Sequence, residues 1–245
     1  ASIDKLINHK SADKLFVLGS GSSINNLSVE QWDEISCHDS VGINRWFYHD
    51  FVPRFYLMDP PRNTERDISE IVIEGLLYRK KSYANCPIIL TYPAGGYNRN
   101  DFVMRLHDLD MSFSLALSLN IEAQTESALR RELKKLSAQK ILRMPELFWI
   151  KTASLDWILL TAVRMGYKEV VFCGVDFNDT RYFYETGPEW VVNAGLRMPR
   201  NLQKGKQNKT FDPEACFGGV PVDKVLSAYC GELRGEYGVK CFVSH

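Results

Sequence analysis

The sequence contains no apolar run long enough to cross a membrane. No window of the 245 residues contains the roughly 18 apolar residues that a spanning helix needs. The N-terminal segment ASIDKLINHKSADK also lacks the apolar stretch of a secretory signal. Net charge is absent as well, because 30 basic residues balance 30 acidic ones. We therefore predict a soluble, cytoplasmic protein that has no nucleic-acid partner.

The patterns of disulfide and metal sites are missing too. The six cysteines include no C-x-x-C pair, and the five histidines do not have the spacing of zinc ligands. Asp108 and Asp110 form an Asp-x-Asp triplet, which grips a divalent ion in many nucleotide-sugar transferases. Here the triplet follows a segment of helical character instead of a strand. We predict reduced cysteines and no metal site.

Positive charge is concentrated in three short segments, at 78–82, 130–135 and 200–209. Such segments are usually solvated faces, and the alternative hypothesis is peripheral attachment at the inner face of an anionic membrane. The last residues, KCFVSH, are typical of a strand whose following loop has just begun. The sequence leaves open the oligomeric state and whether the natural chain continues past His245.

Short apolar runs alternate with helical segments along most of the chain. Buried strands are predicted at 14–19, 39–44, 54–59, 86–92, 168–177 and 238–243. Residues 154–167 carry an apolar face at helical spacing. This alternation predicts an α/β fold that is Rossmann-like, with a mostly parallel sheet and helices on both faces.

Residues 178–210 interrupt the alternation. They are rich in aromatic, glycine and charged residues and have no steady period, which favours a lid or binding loop over a spacer. We therefore predict a core made of residues 1–177 and 211–245 and a lid insertion at 178–210.

A glycine- and serine-rich loop follows the first predicted strand. Residues Gly19, Ser20, Gly21, Ser22 and Ser23 allow a tight turn that aims backbone N–H groups at an anion. The loop matches neither the dinucleotide nor the Walker fingerprint. A phosphate-binding loop and an ordinary glycine turn both remain open.

Polar residues end several predicted strands. Asn44, Asp59 and Asp176 each follow an apolar run, and the carboxyl ends of parallel strands meet at one crevice where ligands bind. The alternative for Asp59 and Asp176 is a helix N-cap.

Two longer segments resemble a known family. Residues 15–47, which contain LGSGSS and GIN, and residues 148–185, which contain KTAS and GVDF, look like the bacterial sialyltransferases of glycosyltransferase family 42. The resemblance extends to related transferases of CMP-activated nonulosonic acids and Kdo, and more distantly to motility-associated factor proteins. It implies a glycosyltransferase that moves a sialic-acid-like or Kdo-like sugar from CMP to a cell-surface glycan or lipid-linked acceptor. The CMP-sugar is then a substrate, and neither a metal nor another cofactor is expected.

The resemblance also implies roles for individual residues. Together with the strand ends, it predicts donor contacts at Gly19, Ser20, Gly21, Ser23, Asn44, Thr152, Ser154, Gly174, Asp176 and Asn178. The family carries a phosphate-binding tyrosine where this chain has Asn178. We expect Tyr182 and Tyr184 to supply the second tyrosine of the family's lid.

The general base of the family is a histidine just after the lid, and this chain has none between Asp176 and Ser244. Asp59 is our candidate, because a carboxylate there can deprotonate the acceptor hydroxyl or attack the anomeric carbon itself. The first role gives inversion and the second retention. The reserve candidates on the lid are Glu185 and Glu189, followed by Asp179.

Two other functions stay open. A pterin diphosphokinase-like enzyme would share the Gly/Ser loop and the G-x-D strand end, and would need ATP and a metal at Asp108 and Asp110. The missing histidine also permits a nucleotide-binding module without catalysis.

Overall fold

The computed structural model describes residues 4–93, 99–144, 147–151, 154–179, 181–185, 195–198 and 219–244. Within these ranges eight strands form one parallel sheet in the order β6-β5-β4-β3-β2-β1-β7-β8. The strands are β1 (Lys14–Leu18), β2 (Asp39–Ile43), β3 (Phe55–Met58), β4 (Ile88–Pro93), β5 (Phe113–Asn120), β6 (Leu147–Ile150), β7 (Glu169–Cys173) and β8 (Lys240–Val243).

Helices pack on both faces of this sheet, as predicted. They are α1 (Asp4–Ile7), α2 (Val29–Ser36), α3 (Arg66–Arg79), α4 (Asn100–Asp108), α5 (Glu126–Ala138), α6 (Ser154–Arg164) and α7 (Val222–Tyr237). One hydrophobic core joins the sheet to α1, α5, α6 and α7, and a second joins it to α2, α3 and α4. The predicted Rossmann-like α/β fold is therefore confirmed.

The central strand β1 shows why the apolar runs are continuous in the sequence. Leu15 and Val17 enter one core while Phe16 and Leu18 enter the other, and all four are buried. Since successive side chains of a strand point to opposite faces, a strand covered on both faces needs apolar residues at every position.

Two strands that extend the sheet at one edge, β5 and β6, are not predicted from the sequence. In β5 the side chains that face the covered side are small, including Ser114 and Ser118. Leu115 and Leu117 point the other way and are 44% and 48% exposed. This reversed pattern resembles neither a buried strand nor an amphipathic strand with an apolar inner face.

The strand order places the carboxyl ends of β1 and β7 at the point where the sheet changes direction. The chain builds strands outward from β1 to β6 and then returns to place β7 on the other side of β1. In open α/β sheets such a switch point forms the crevice in which ligands bind.

The structure covers only part of the chain to which the predictions of a lid, of basic segments and of no membrane span apply. Among the described residues, no helix combines the length and the apolar character that crossing a bilayer demands. Of the predicted lid, residues 178–179, 181–185 and 195–198 are described, so the division into core and lid stays a prediction. The basic segment 200–209 lies outside the described residues.

At the opposite end of the sheet, Asp39 ties three segments together. Its carboxylate is fully buried and accepts hydrogen bonds from Ser11 N–H at 2.8 Å, Ser11 Oγ at 2.5 Å, Ala12 N–H at 3.1 Å and Tyr167 Oη at 2.7 Å. Burial raises the pKa of Asp39, but these hydrogen bonds outweigh it and hold the pKa below its ordinary value.

We expect Asp39→Asn to lower the free energy of unfolding at pH 7 by about 2–4 kcal/mol, because donors that now face a carboxylate would meet an amide. The folded pKa is depressed, so the wild-type advantage is complete above the unfolded pKa of about 3.9 and is lost as the pH falls through the folded pKa. Urea unfolding at several pH values measures both effects. Asp33→Asn, at an exposed position on α2, is the control. Equal stability of the two variants at pH 7 would show that the buried Asp39 carboxylate does not stabilise the fold.

Candidate functional site

A cleft of about 410 Å³ opens at the carboxyl ends of the central strands. Its volume lies within the usual range for small-molecule sites. Six residues predicted from the sequence line it: Ser20, Asn44, Asp59, Ser154, Tyr182 and Tyr184. Three arginines that sequence reasoning missed line it as well: Arg45, Arg62 and Arg99. The predicted convergence of strand ends is thus present for Asn44 and Asp59.

Asn44 connects three elements at the floor of the cleft. It has a φ of 54°, a left-handed conformation that Asn tolerates better than most residues. Its side-chain oxygen accepts hydrogen bonds from Asp59 N–H at 3.3 Å and from the Ser154 hydroxyl at 3.3 Å. Because two donors define the oxygen end of this amide, its Nδ2 group remains as a donor for a ligand, with no acceptor among the described residues.

Asp59 presents one engaged and one available carboxylate oxygen. Oδ1 accepts hydrogen bonds from the Thr91 hydroxyl at 2.8 Å and from the Arg99 guanidinium. Oδ2 has no hydrogen-bond partner within the described ranges, and the side chain is 42% exposed. The N-cap position of the following helix α3 is Glu65, so Asp59 does not serve as that cap.

The loop after β1 is fastened to the end of β7 by its own backbone. Gly19 N–H donates to the Cys173 carbonyl at 2.7 Å, and Gly21 N–H donates to the Gly174 carbonyl at 2.8 Å. The approach is so close that a Cβ atom on Gly19 would overlap the Gly174 carbonyl oxygen, and one on Gly21 would overlap the Asp176 carboxylate. These glycines are therefore required by packing between the two chain segments.

Asp176 completes this junction. Its carboxylate accepts the Ser23 N–H at 2.9 Å and the Ser23 hydroxyl at 2.5 Å, so it holds the loop instead of reaching into the cleft. The adjacent Ser22 N–H donates to the Arg181 carbonyl at 3.1 Å. Of the predicted loop contacts to a nucleotide, only Ser20 lies on the cleft, and that contact stays a prediction.

The same loop positions the two lid tyrosines. Tyr182 forms an isolated bridge with Gly21, and Phe183 N–H donates to the Ser20 carbonyl at 3.0 Å. The rings of Tyr182 and Tyr184 stack with centroids 5.1 Å apart and planes 8° apart. Burial raises the pKa of the Tyr184 phenol, so Tyr184 keeps its proton and can donate it to a hydrogen bond.

Arg45 lies beside these tyrosines. It directly follows Asn44, is partly buried, and donates from Nη1 to the Tyr184 hydroxyl at 3.2 Å. Its position immediately after a predicted strand end was the signal for it in the sequence. Arg45 stands outside the three basic segments of the sequence and was therefore not predicted.

The other predicted site residues lie elsewhere. Asn178 is exposed and does not line the cleft. Glu185 is exposed and accepts the Tyr182 N–H at 2.9 Å within a turn. The Arg181 guanidinium and backbone hold the pKa of Asp179 well below its usual range, which makes it a poor proton acceptor. Thr152 and Glu189 lie outside the described residues.

The Asp-x-Asp triplet is remote from the cleft. Arg99 is at the start of α4 and lines the cleft, whereas Asp108 ends that helix about 13 Å further on at 1.5 Å per residue. Asp108 and Asp110 are both exposed. No group of three or more potential metal ligands occurs in the part of the chain that the structure describes, and metal independence stays a prediction.

The basic segments are engaged within the protein more than the sequence suggested. Arg79 is buried and donates to the carbonyls of Phe47 and His49 and to Asp50. In the segment 130–135, Arg130, Arg131 and Lys135 form ion pairs with acidic residues of the same helix, α5. Membrane attachment stays a hypothesis.

We expect Gly174→Ala to destabilise the protein more than Gly166→Ala. Both glycines have positive φ, at 67° and 74°, which costs an alanine about 1–2 kcal/mol. A Cβ at Gly174 would also overlap the Ile24 side chain, adding about 1–3 kcal/mol, whereas a Cβ at Gly166 meets nothing. Denaturant unfolding of both variants measures the difference, and equal losses of stability would show that the loop junction is not tightly packed.

Comparison with known proteins gives limited similarity. No protein-family model and no curated protein matches the chain. Among solved structures, the monofunctional α-2,3-sialyltransferase Cst-I from Campylobacter jejuni has a TM-score of 0.48 at 15% identity, covering 94% of this chain and 75% of that one. An apo α-2,3-sialyltransferase from Campylobacter jejuni has a TM-score of 0.45 at 16% identity, covering 94% and 74%.

Proposed function

We propose that this chain is a glycosyltransferase that moves a sialic-acid-like or Kdo-like sugar from a CMP donor to a glycan or lipid-linked acceptor. One observation carries the proposal: a carboxylate with an available oxygen and a pair of phenols line the same cleft at the carboxyl ends of the strands. The resemblance of residues 15–47 and 148–185 to family 42 transferases supports the choice of donor.

The two tyrosines suit the departure of CMP. When the bond between the anomeric carbon and the phosphate oxygen breaks, its electron pair stays on the phosphate, whose negative charge increases. Phenol O–H groups of Tyr182 and Tyr184, placed at that oxygen, would stabilise the developing charge. Their position is set by backbone hydrogen bonds to the Gly/Ser loop, so they need little reorganisation during the reaction.

Asp59 suits the acceptor side of the reaction. Thr91 and Arg99 both bond to Oδ1 and so orient the carboxylate, while Oδ2 is available to take the proton of an acceptor hydroxyl. Attack of that hydroxyl on the anomeric carbon gives inversion. If Oδ2 itself attacks the anomeric carbon, a covalent intermediate forms and the outcome is retention.

The rival ATP-dependent function is less well supported by the geometry. It places a metal at Asp108 and Asp110, and both residues lie at the end of α4 that is far from the cleft. A module that binds CMP without turnover would use the same cleft. Measuring the release of CMP from a CMP-sugar distinguishes such a module from an enzyme.

We expect CMP to raise the melting temperature without added magnesium. At a concentration 100 times its Kd, CMP would stabilise the fold by about 2.7 kcal/mol, or roughly 5–10 °C for a chain of this size. Differential scanning fluorimetry with CMP, UDP, ATP and NAD, each with and without magnesium, makes the comparison. A shift with ATP that requires magnesium would favour the kinase-like function, and no shift with any of the four would contradict nucleotide binding.

We expect Asp59→Asn to reduce release of CMP from CMP-N-acetylneuraminate or CMP-Kdo by about 10²-fold to 10⁴-fold, because the amide cannot accept a proton. Binding of CMP should be preserved, which shows that the variant is folded. Asp67→Asn, at an exposed position in the first turn of α3, is the matched control and should retain full turnover. Unchanged turnover in Asp59→Asn would remove Asp59 from the mechanism, and wild-type protein that binds CMP without turnover would support the binding module.

A further inference from the structure

Arg45 differs from the other two arginines of the cleft in its surroundings. Arg99 is ion-paired with Asp59, and Arg62 is exposed to solvent. Arg45 is partly buried, and among the described residues it has no carboxylate partner. The titratable groups that interact with its guanidinium are the phenols of Tyr48, Tyr182 and Tyr184, and none of them is a carboxylate.

A partly buried guanidinium without a carboxylate partner favours binding of an anion. Withdrawing a cation from water without a counter-ion costs free energy, and an anionic ligand group would recover it. Arg45 donates to the Tyr184 hydroxyl, so that hydroxyl has its own proton free for a further acceptor. Arg45 and Tyr184 together therefore present N–H and O–H donors at one point of the cleft.

The charge of the cleft fits one additional anion. Its lining carries three arginines against two carboxylates, those of Asp59 and Glu65. Asp59 is matched by Arg99, and Glu65 accepts the backbone N–H of Arg62 at 2.9 Å. Arg45 and Arg62 have no carboxylate partner for their guanidinium groups among the described residues, and Arg45 is the more buried of the two.

We propose that Arg45, acting with Tyr184, binds the phosphate of the nucleotide in this cleft. The inference rests on the proposed function and adds a phosphate-binding residue to it. Arginine suits this task because its fork of N–H donors matches phosphate oxygens and its charge is permanent. During transfer the acceptor oxygen bonds to the anomeric carbon, the bond from that carbon to the phosphate oxygen breaks, and the proton of the acceptor hydroxyl passes to Asp59. Arg45 would then neutralise the negative charge that grows on the phosphate.

A phosphate is favoured over a sugar carboxylate by the position of the pair. Tyr184 belongs to the segment that is bonded to the loop after β1, at the switch point where nucleotides bind in sheets of this kind. The competing hypothesis is that Arg45 binds the carboxylate of the sugar, and the test includes free N-acetylneuraminate to distinguish the two.

The experiment compares CMP with cytidine, which lacks the phosphate, by isothermal titration calorimetry. We expect wild-type protein to bind CMP more tightly than cytidine. Arg45→Gln should weaken CMP binding by about 10-fold to 100-fold, the usual size of a hydrogen bond to a charged group, and leave cytidine binding unchanged. Arg45→Lys keeps the positive charge but lacks the planar fork of N–H donors, so its affinity for CMP should lie between those of the wild type and Arg45→Gln. Arg66→Gln is the control: it removes the same charge from an exposed position at the start of α3 and should preserve the ratio of CMP affinity to cytidine affinity.

The outcomes separate this inference from the proposed function. If Arg45→Gln preserves the ratio of CMP to cytidine affinity, the inference is overturned while the CMP site stands. If that variant weakens N-acetylneuraminate and leaves CMP unchanged, Arg45 binds the carboxylate and the inference is again overturned. If AMP binds better than CMP and its binding depends on Arg45, the inference holds and the CMP-sugar function falls. Should Arg45→Gln lose its near-ultraviolet circular dichroism, the ratio in Arg45→Lys decides, and an unchanged ratio there overturns the inference.

Discussion

The cleft depends on one close contact, between the loop that follows β1 and the residues that follow β7. Gly19 and Gly21 approach the Gly174 carbonyl so closely that neither has room for a side chain, and a side chain on Gly174 would overlap Ile24. Asp176 binds Ser23 across the same gap. The loop in turn holds the segment 181–185 by backbone hydrogen bonds. This junction therefore determines where Tyr182 and Tyr184 lie, although it contributes little to the surface of the cleft itself.

Two sets of polar contacts line the cleft. Arg99 and Thr91 orient Asp59 through a single carboxylate oxygen, and the other oxygen has no hydrogen-bond partner among the described residues. Arg45 donates to the Tyr184 hydroxyl and has no carboxylate partner in the described ranges. A basic oxygen and a guanidinium in one cleft would suit the proposed transfer from a phosphate leaving group to a hydroxyl.

The sequence predicts the layers of this fold well and its site in part. Buried parallel strands such as β1 need apolar residues at every position, which is visible locally, and Asn44 and Asp59 were found because strand ends converge. The strand β5, which lies next to the edge strand β6, was missed because small residues occupy its covered side. The glycines were recognised, but their role in packing depends on a partner segment far along the chain. Arg45 and Tyr184 are 139 positions apart, and no local pattern connects them.

The most direct measurement is a crystal structure of the chain with CMP. We expect the nucleotide in this cleft, with phosphate oxygens within hydrogen-bond distance of Arg45 and the Tyr184 hydroxyl and with Asp59 Oδ2 facing the space where a sugar would continue. CMP bound away from this cleft, or bound within it with its phosphate turned to solvent, would contradict the proposed phosphate site.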